Sequence, residues 1–271
     1  MPVDVDAEVL SNTRLSADYN VLAIAAPEVA SRAEPGQFVM LKPGPCDAVL
    51  LRRPYSVFER LRDGAGRPIG ITVFSKKVGS GSSLLYEAAP GTRVRCLGPL
   101  GRPFTLVEPP ARALMVAGGV GLAPFATLAE TLSRSGVEST LFYGARTAGE
   151  LFCLDRFQYP NVRLVLATED GSRGVQGRVT APLETALDSL PAGQPVMVYA
   201  CGPEPMLAVV ARLARTHLRP SELAMERLMG CGMGGCYSCV VKMREASGAT
   251  RYVRSCVEGP VLRGDDIVWE S

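Results

Sequence analysis

Histidine is almost missing from this chain: His217 stands alone among 271 residues. One imidazole supports neither a serine-hydrolase triad nor a histidine-rich metal site. It reads as the residue that closes a helix C-terminus. An excess of one charge is missing too. Lysine and arginine number 29 against 27 aspartates and glutamates, a net +2, so there is no general attraction to nucleic acid or to a membrane. An apolar leader is not evident, since the first residues, Met1-Pro-Val-Asp-Val-Asp-Ala-Glu, are acidic. The eight cysteines are therefore expected to be reduced thiols in a cytoplasmic protein rather than a disulfide framework. Long apolar runs are also lacking. The uncharged stretch at 113–129 falls short of a bilayer span and carries Gly118, Gly119, Gly121 and Pro124 in its middle. A buried strand, a glycine turn and the start of a helix explain it better. No internal repeat or low-complexity tract occurs.

Hydrophobic residues, in contrast, make up 47% of the chain, enough for a sizeable core, and the length suits two domains and a small third. Residues 1–107 read as all-β. Short β-prone runs at 5–10, 21–25, 38–41, 55–58, 69–74 and 94–97 alternate with turn signals such as Pro35-Gly36, Asp63-Gly64 and Pro90-Gly91. A closed barrel or a sandwich follows, with one short helix at 83–88. Over 108–225 the texture changes to strands at 113–117, 140–143, 163–167 and 196–200 alternating with helices at 122–135, 180–190 and 204–216. That alternation predicts a parallel α/β sheet. Residues 226–271 are irregular and rich in glycine and cysteine, giving an overall class of β-barrel plus α/β with a small C-terminal domain.

Cysteine is concentrated where the rest of the chain has little chemistry to offer. Cys231, Cys236 and Cys239 are spaced C-x4-C-x2-C, and Cys256 follows after sixteen more residues. This is the plant-type spacing for a [2Fe–2S] cluster on four thiolates. The intervening glycines allow positive φ and let backbone N–H groups approach the sulfurs. A four-cysteine zinc site stays open as an alternative, although such sites usually pair two C-x2-C knuckles.

Three further stretches carry candidate binding chemistry. In Arg53-Pro54-Tyr55-Ser56 the arginine offers a rigid fork for a pyrophosphate and the tyrosine a face for a flavin ring; the bland reading is a strand end with a surface arginine. At 74–84, Phe74, Ser75 and Lys76 lead into Gly79-Ser80-Gly81-Ser82, a small-residue anion cradle or else a solvated hairpin loop. Gly118-Gly119-Val120-Gly121-Leu122-Ala123-Pro124 follows the first α/β strand and suits a diphosphate, or a glycine turn that serves packing alone. It departs from G-x-G-x-x-G, and Tyr143-Gly144-Ala145-Arg146 stands where an acidic ribose ligand is usual. Cys201-Gly202-Pro203 ends another strand, so Cys201 is expected in the same crevice, as the candidate catalytic residue near the nicotinamide, or else is a buried structural thiol. Cys46, Cys96 and Cys153 are isolated and read as structural.

Taken together, Pro35-Gly36-Gln37-Phe38, Arg53-Pro54-Tyr55-Ser56, Leu97-Gly98-Pro99-Leu100-Gly101, the 118–124 turn, Cys201-Gly202-Pro203 and Glu226-Arg227-Leu228-Met229-Gly230-Cys231 through Cys256-Val257-Glu258-Gly259-Pro260-Val261 resemble the ferredoxin-reductase superfamily. The resemblance is narrower still to the electron-transfer subunits of class 1B dihydroorotate dehydrogenase. It implies an FAD-binding Greek-key barrel, a parallel-sheet nicotinamide-nucleotide domain and a C-terminal [2Fe–2S] domain. It implies that FAD is held by Arg53 to Ser56, Phe74 to Lys76 and Gly81-Ser82, and NAD(H) by Gly118, Gly119, Gly121, Pro124, Gly202 and Pro203. It also implies an FMN-containing catalytic partner in a heterotetramer. Two departures stand out: Ser82 where threonine is usual, and Lys76 where arginine is common. Rival readings are the same module in a ferredoxin–NADP or sulfide-dehydrogenase complex, and a non-enzymatic zinc-binding interaction module.

Overall fold

The computed structural model describes residues 1–43, 49–191 and 193–269. Cys46, read above as structural, lies outside the described residues. The N-terminal half holds β1 (Val3–Arg14), β2 (Tyr19–Ile24), a single-turn helix α1 (Pro27–Ala30), β3 (Phe38–Pro43), β4 (Arg53–Ser56), β5 (Glu59–Arg62), β6 (Pro68–Lys76), α2 (Ser80–Glu87) and β7 (Arg93–Leu100). The seven strands form one antiparallel sheet in the order β4-β3-β7-β1-β2-β6-β5. The sheet curls so that its edges meet where β4 runs into β5. There the Val57 N–H donates to the Gln37 carbonyl at 3.0 Å and the Phe58 N–H to the Thr72 carbonyl at 2.9 Å. These bonds carry the β3–β4 ladder directly into the β5–β6 ladder.

Strand β3 shows why an unbroken apolar run appears in a barrel strand. Its alternate side chains serve two cores: Val39 and Leu41 fill the barrel, while Phe38 and Met40 pack outward against Met229, Cys239 and Cys256. Strand β5 was not expected, because Glu-Arg-Leu-Arg has no apolar alternation. Its charges instead face the second half, where Arg60 meets Glu130 at 3.3 Å and Glu59 meets Arg156 at 3.4 Å.

The second half runs β8 (Arg112–Gly118), α3 (Ala123–Arg134), β9 (Ser139–Ala145), β10 (Val162–Thr168), β11 (Val175–Gln176), α4 (Thr180–Asp188), β12 (Val196–Cys201), α5 (Glu204–Thr216) and β13 (Ser221–Ala224). After it come a hairpin, β14 (Val240–Arg244) and β15 (Thr250–Arg254), and a last strand β16 (Val261–Arg263). The order β11-β10-β9-β8-β12-β13-β16 is parallel except for β16. Helix α3 buries Phe125, Leu128, Ala129 and Leu132, the i, i+3, i+4, i+7 stripe of a core-facing helix. The uncharged 113–129 stretch is thus strand, turn and helix. Among the described residues, no helix is long and apolar enough to cross a membrane.

Two details differ from expectation. Gly119–Leu122 forms a 3-10 turn before α3 begins, in keeping with the poor helix propensity of glycine. Strand β16 returns the C-terminal segment to the edge of the parallel sheet, so residues after 226 share a sheet with the α/β half.

The linker between barrel and α/β sheet is pinned. Phe104 stacks on Phe125 with ring centroids 5.9 Å apart and meets Tyr199 edge-on at 5.3 Å. Each such pair adds about 0.5–1.5 kcal/mol beyond burial. The Tyr199 hydroxyl donates to the Thr105 carbonyl at 2.7 Å, and the Thr105 N–H donates to Glu222 Oε2 at 2.8 Å. These contacts set the angle between the two halves and hence the shape of the cleft.

Candidate functional site

The parallel sheet reverses its winding between β8 and β12, and a crevice opens at the carboxyl ends of such a pair. Two cavities lie there, of about 630 and 600 Å3. The first lies against the barrel and the second over the α/β sheet. Lys76, Val120 and Glu226 line both, so one extended ligand can reach from the second into the first.

The barrel-side cavity collects Arg53, Pro54, Tyr55 and Ser56 of β4, Phe74, Ser75 and Lys76 of β6, and Gly79 to Ser82 at the start of α2. Arg53 donates to the Leu51 and Arg52 carbonyls at 3.2 Å each and has no carboxylate partner among the described residues. It stands beside Gly81, where an added Cβ would lie 3.3 Å from Arg53 Cγ. An arginine fork beside a helix start made of small residues is a fitting cradle for a pyrophosphate. Burial pushes the Tyr55 hydroxyl up to about 12, against a smaller downward pull from Arg53, so the phenol remains a neutral donor.

Several residues that line this cavity also spend their side chains on protein partners. Phe74 turns into the core against Tyr19 and Phe58. Ser75 spends its hydroxyl on buried Asn20 at 2.7 Å. Ser82 accepts the N–H groups of Val78 and Gly79 at 2.8 and 3.0 Å, so its hydroxyl ties the loop. Lys76 holds its ammonium 5.0 Å from the Tyr19 ring centroid, at the boundary between the cavities.

In the second cavity the structure gathers Gly118, Gly119, Gly202 and Pro203, but not Gly121 or Pro124. Gly121 lies beneath, where an added Cβ would stand 2.2 Å from the Cys201 carbonyl oxygen. Pro124 is buried in the first turn of α3. Both shape the crevice without lining it. Cys201 ends β12, is buried, and lines the barrel-side cavity. Burial, and then the nearby Glu226, hold its thiol well above the usual cysteine range, so it is a neutral wall group and no thiolate. The other two cysteines read as structural are neutral as well: burial pushes the Cys96 thiol up to about 12 and the Cys153 thiol up to about 11.

Two features escaped the sequence reading. Glu226 sits at the junction of the cavities. It is open to solvent within the cleft, yet the surrounding protein atoms raise its carboxyl above the usual carboxylate range. Arg146, at the far end of the second cavity, is clasped by Glu150, whose Oε2 accepts both the Arg146 backbone N–H at 3.3 Å and Nε at 3.2 Å. Glu169 and Arg178 line the same end. No spacing rule links Arg146 to a partner four residues on in a loop, so this clasp was not legible.

The cysteine loop packs on the outer face of the barrel. Cys239 and Cys256 are buried with Phe38, Met40, Leu97, Leu100 and Met229, while Cys236 is exposed and Cys231 is half-buried. Phe38 and Met229 also line the barrel-side cavity, so a single layer of side chains separates it from the loop. Gly232 and Gly234 take φ of +72° and +83°, and a Cβ on Gly232 would meet Met40 Cγ at 2.6 Å. That tight seat requires glycine.

Cys231 helps to lower the Cys236 thiol, and Cys239 and Cys231 both help to raise Cys256, so the four sulfurs lie close enough to act on one another. Among the described residues, no group of three or more candidate ligands closes on one metal ion. Amide donors are in place: Met233 and Gly235 N–H groups reach Cys231 Sγ at 3.4 and 3.3 Å. Chiefly the Ser238 hydroxyl, and then its N–H, lower the Cys236 thiol to about 6, while burial pushes Cys256 up to about 12. The donor set and its spacing fit a [2Fe–2S] cluster.

Residues 226–268 match the family model described as the iron–sulfur cluster binding domain of dihydroorotate dehydrogenase B. Residues 115–212 match the oxidoreductase NAD-binding domain. The chain is 35% identical over 266 residues to the dihydroorotate dehydrogenase B (NAD(+)) electron transfer subunit of Desulforamulus reducens, covering 98% of each chain. It is 37% identical over 249 residues to that of Bacillus caldolyticus, covering 91% of each. The chain belongs to the family of dihydroorotate dehydrogenase B (NAD(+)) electron transfer subunits. Within that family the zinc-binding alternative gives way to the iron–sulfur reading of the tail. Among solved structures, the NADH-dependent reduced ferredoxin–NADP oxidoreductase, studied for flavin-based electron bifurcation, matches with a TM-score of 0.82 at 28% identity. That match covers 98% of this chain and 90% of the other. A Neisseria gonorrhoeae ferredoxin NADP+ reductase, with a TM-score of 0.64 at 20% identity over 79% of this chain and 91% of the other, shares the fold.

Proposed function

We propose that this electron-transfer subunit passes electrons between the FMN of a catalytic partner and NAD+, by way of a [2Fe–2S] cluster and FAD, in the oxidation of dihydroorotate to orotate. When bound, these groups supply hydride exchange with nicotinamide on one side and single-electron exchange with the partner on the other. The chain's own residues bind and orient. Arg53 and the small-residue start of α2 hold the FAD pyrophosphate, and Tyr55 and Ser56 face the flavin ring. Gly118, Gly119, Gly202 and Pro203 let the nicotinamide nucleotide approach the ends of β8 and β12. Cys201 and Val120 form an apolar wall beside the nicotinamide, and Cys231, Cys236, Cys239 and Cys256 ligate the cluster.

The observation that carries this reading is the arrangement in series: second cavity, barrel-side cavity and cysteine loop adjoin through shared walls. The working parts are 1–107 for FAD, 108–225 for NAD(H) and 226–271 for the cluster, the last sharing its strand β16 with the second. The protein works in the cytoplasm as a heterotetramer, two of each subunit. The matched relatives, named as electron transfer subunits, support a catalytic partner.

The likeness to a ferredoxin–NADP oxidoreductase favours a second reading, the same module on a larger flavin and iron–sulfur partner. Affinity purification from the native cell, with cofactor analysis of the complex, decides between them. An FMN-containing partner and dihydroorotate-dependent NAD+ reduction support the first. A larger partner with its own FAD and iron–sulfur clusters supports the second.

A further inference from the structure

Tyr237 and Ser238 fill the two positions between Cys236 and Cys239. Tyr237 adopts a left-handed backbone, φ +57°, in a loop where the neighbouring turns use glycine. Ser238 Oγ accepts the Gly230 N–H at 3.0 Å and lies 3.1 Å from Cys236 Sγ. Gly230 belongs to the same tight cluster: an added Cβ there would stand 3.2 Å from Cys236 Sγ and 3.6 Å from Ser238 Oγ. Amide, hydroxyl and sulfur therefore form one short chain.

The direction of that chain is fixed by proton count. A hydroxyl has one proton and two lone pairs. The Gly230 amide occupies a lone pair, which leaves the proton for the sulfur. A cysteine that ligates iron has no proton to give, so in the loaded loop Ser238 is the donor to Cys236. Hydrogen bonds to ligand sulfurs are among the terms that set an iron–sulfur potential. A donated O–H favours the state with more negative charge on sulfur, which is the cluster carrying one added electron.

We propose that Ser238 is a positioning residue that holds a hydrogen bond on Cys236 Sγ and thereby raises the reduction potential of the cluster. The inference rests on the [2Fe–2S] reading of the loop. No bond forms or breaks in the step it influences. One electron enters, supplied by the flavin on either side, and the Ser238 proton stays on its oxygen.

The test is an EPR-monitored redox titration of the anaerobically purified, cofactor-loaded protein, with the flavin titrated in parallel by visible absorption. In Ser238→Ala, at the wild-type half-reduction potential, the ratio of reduced to oxidised cluster falls about three- to tenfold, tenfold being ~59 mV for one electron. Ser238→Thr keeps the hydroxyl and stays within about twofold of wild type, and the flavin titration does not move. An unchanged or raised ratio in Ser238→Ala overturns the proposal. So does a Ser238→Thr that shifts as far as alanine, or a Ser238→Ala that cannot hold iron, since the hydroxyl would then serve the fold of the loop. A wild-type protein without a [2Fe–2S] signal overturns the reading of the loop itself; a normal wild-type signal beside an unmoved Ser238→Ala overturns this inference alone.

Discussion

Gly121→Ala puts one methyl group into the seam between the glycine turn and the end of β12. The new Cβ would stand 2.2 Å from the Cys201 carbonyl oxygen, 2.4 Å from its carbon and 2.7 Å from the Gly202 nitrogen. All three are backbone atoms, so no rotamer change relieves the overlap. Ordinary contact begins at 3.4 Å, and the two segments must part by about 1.2 Å. Overpacking of this kind costs about 1–3 kcal/mol of stability, which a chain of this size tolerates. The functional cost is larger in proportion. Gly118 and Gly119 on one side and Gly202 on the other line the second cavity, and Cys201 walls the barrel-side cavity. A misplacement of about 1 Å lowers a rate that depends on alignment by about 100-fold. The assay is single-turnover flavin reduction by NADH under argon, after FAD and iron content are matched to wild type. The control is Gly136→Ala, at φ +74° with no atom within 4 Å of the added Cβ, which strains the backbone away from both cavities. It should lose stability, by about 1–2 kcal/mol, and no rate. A Gly121→Ala protein that retains FAD and reduces it at the wild-type rate would refute the argument.

Three more outcomes follow from the same geometry. Arg53→Ala removes a charged donor from the flavin cradle, and FAD affinity measured by fluorescence titration should weaken by about 10- to 150-fold, the equivalent of about 1.5–3 kcal/mol. Unchanged affinity would return Arg53 to an ordinary strand end. Glu150→Gln loosens the clasp on Arg146 at the far end of the nucleotide cavity, and the ratio of NADPH to NADH turnover should rise several-fold. No change in that ratio would remove Arg146 from the nucleotide site. His217 closes α5, bonded to the Leu213 carbonyl and to Asp188 Oδ1 at 2.9 Å each, and chiefly Asp188 raises its pKa. A raised folded value means that this stabilisation is fully present below the unfolded pKa of about 6.5 and is lost as pH rises through the folded pKa. Urea midpoints should fall across that interval for the wild type and stay flatter for His217→Gln; equal slopes would count against the link.

Much of this organisation was legible because each part is a local rule. Short β-prone runs and the turn residues between them marked the barrel strands, and the alternation after residue 108 marked the parallel sheet. The cysteine spacing marked its own loop. What escaped notice depends on contacts between distant segments. Strand β16 is three residues long and is a strand only because it pairs with β13. Strand β5 is polar because it lies at a seam between halves. Glu226 was visible as a letter in a motif, but its place where two cavities meet is a property of the assembled cleft. Gly121 shows the same limit: the sequence left a ligand contact and a packing turn both open, and the tight approach to the Cys201 carbonyl belongs to the assembled crevice.

The central claim is that four thiolates in the tail hold a two-iron cluster one side-chain layer from the flavin. Iron, acid-labile sulfide, zinc and FAD measured per chain in anaerobically purified wild type and Cys236→Ser test it most directly. Iron and sulfide in equal amounts in the wild type are expected, with both lost and FAD kept in the variant. Zinc without sulfide in the wild type, or loss of FAD together with iron in Cys236→Ser, would contradict it.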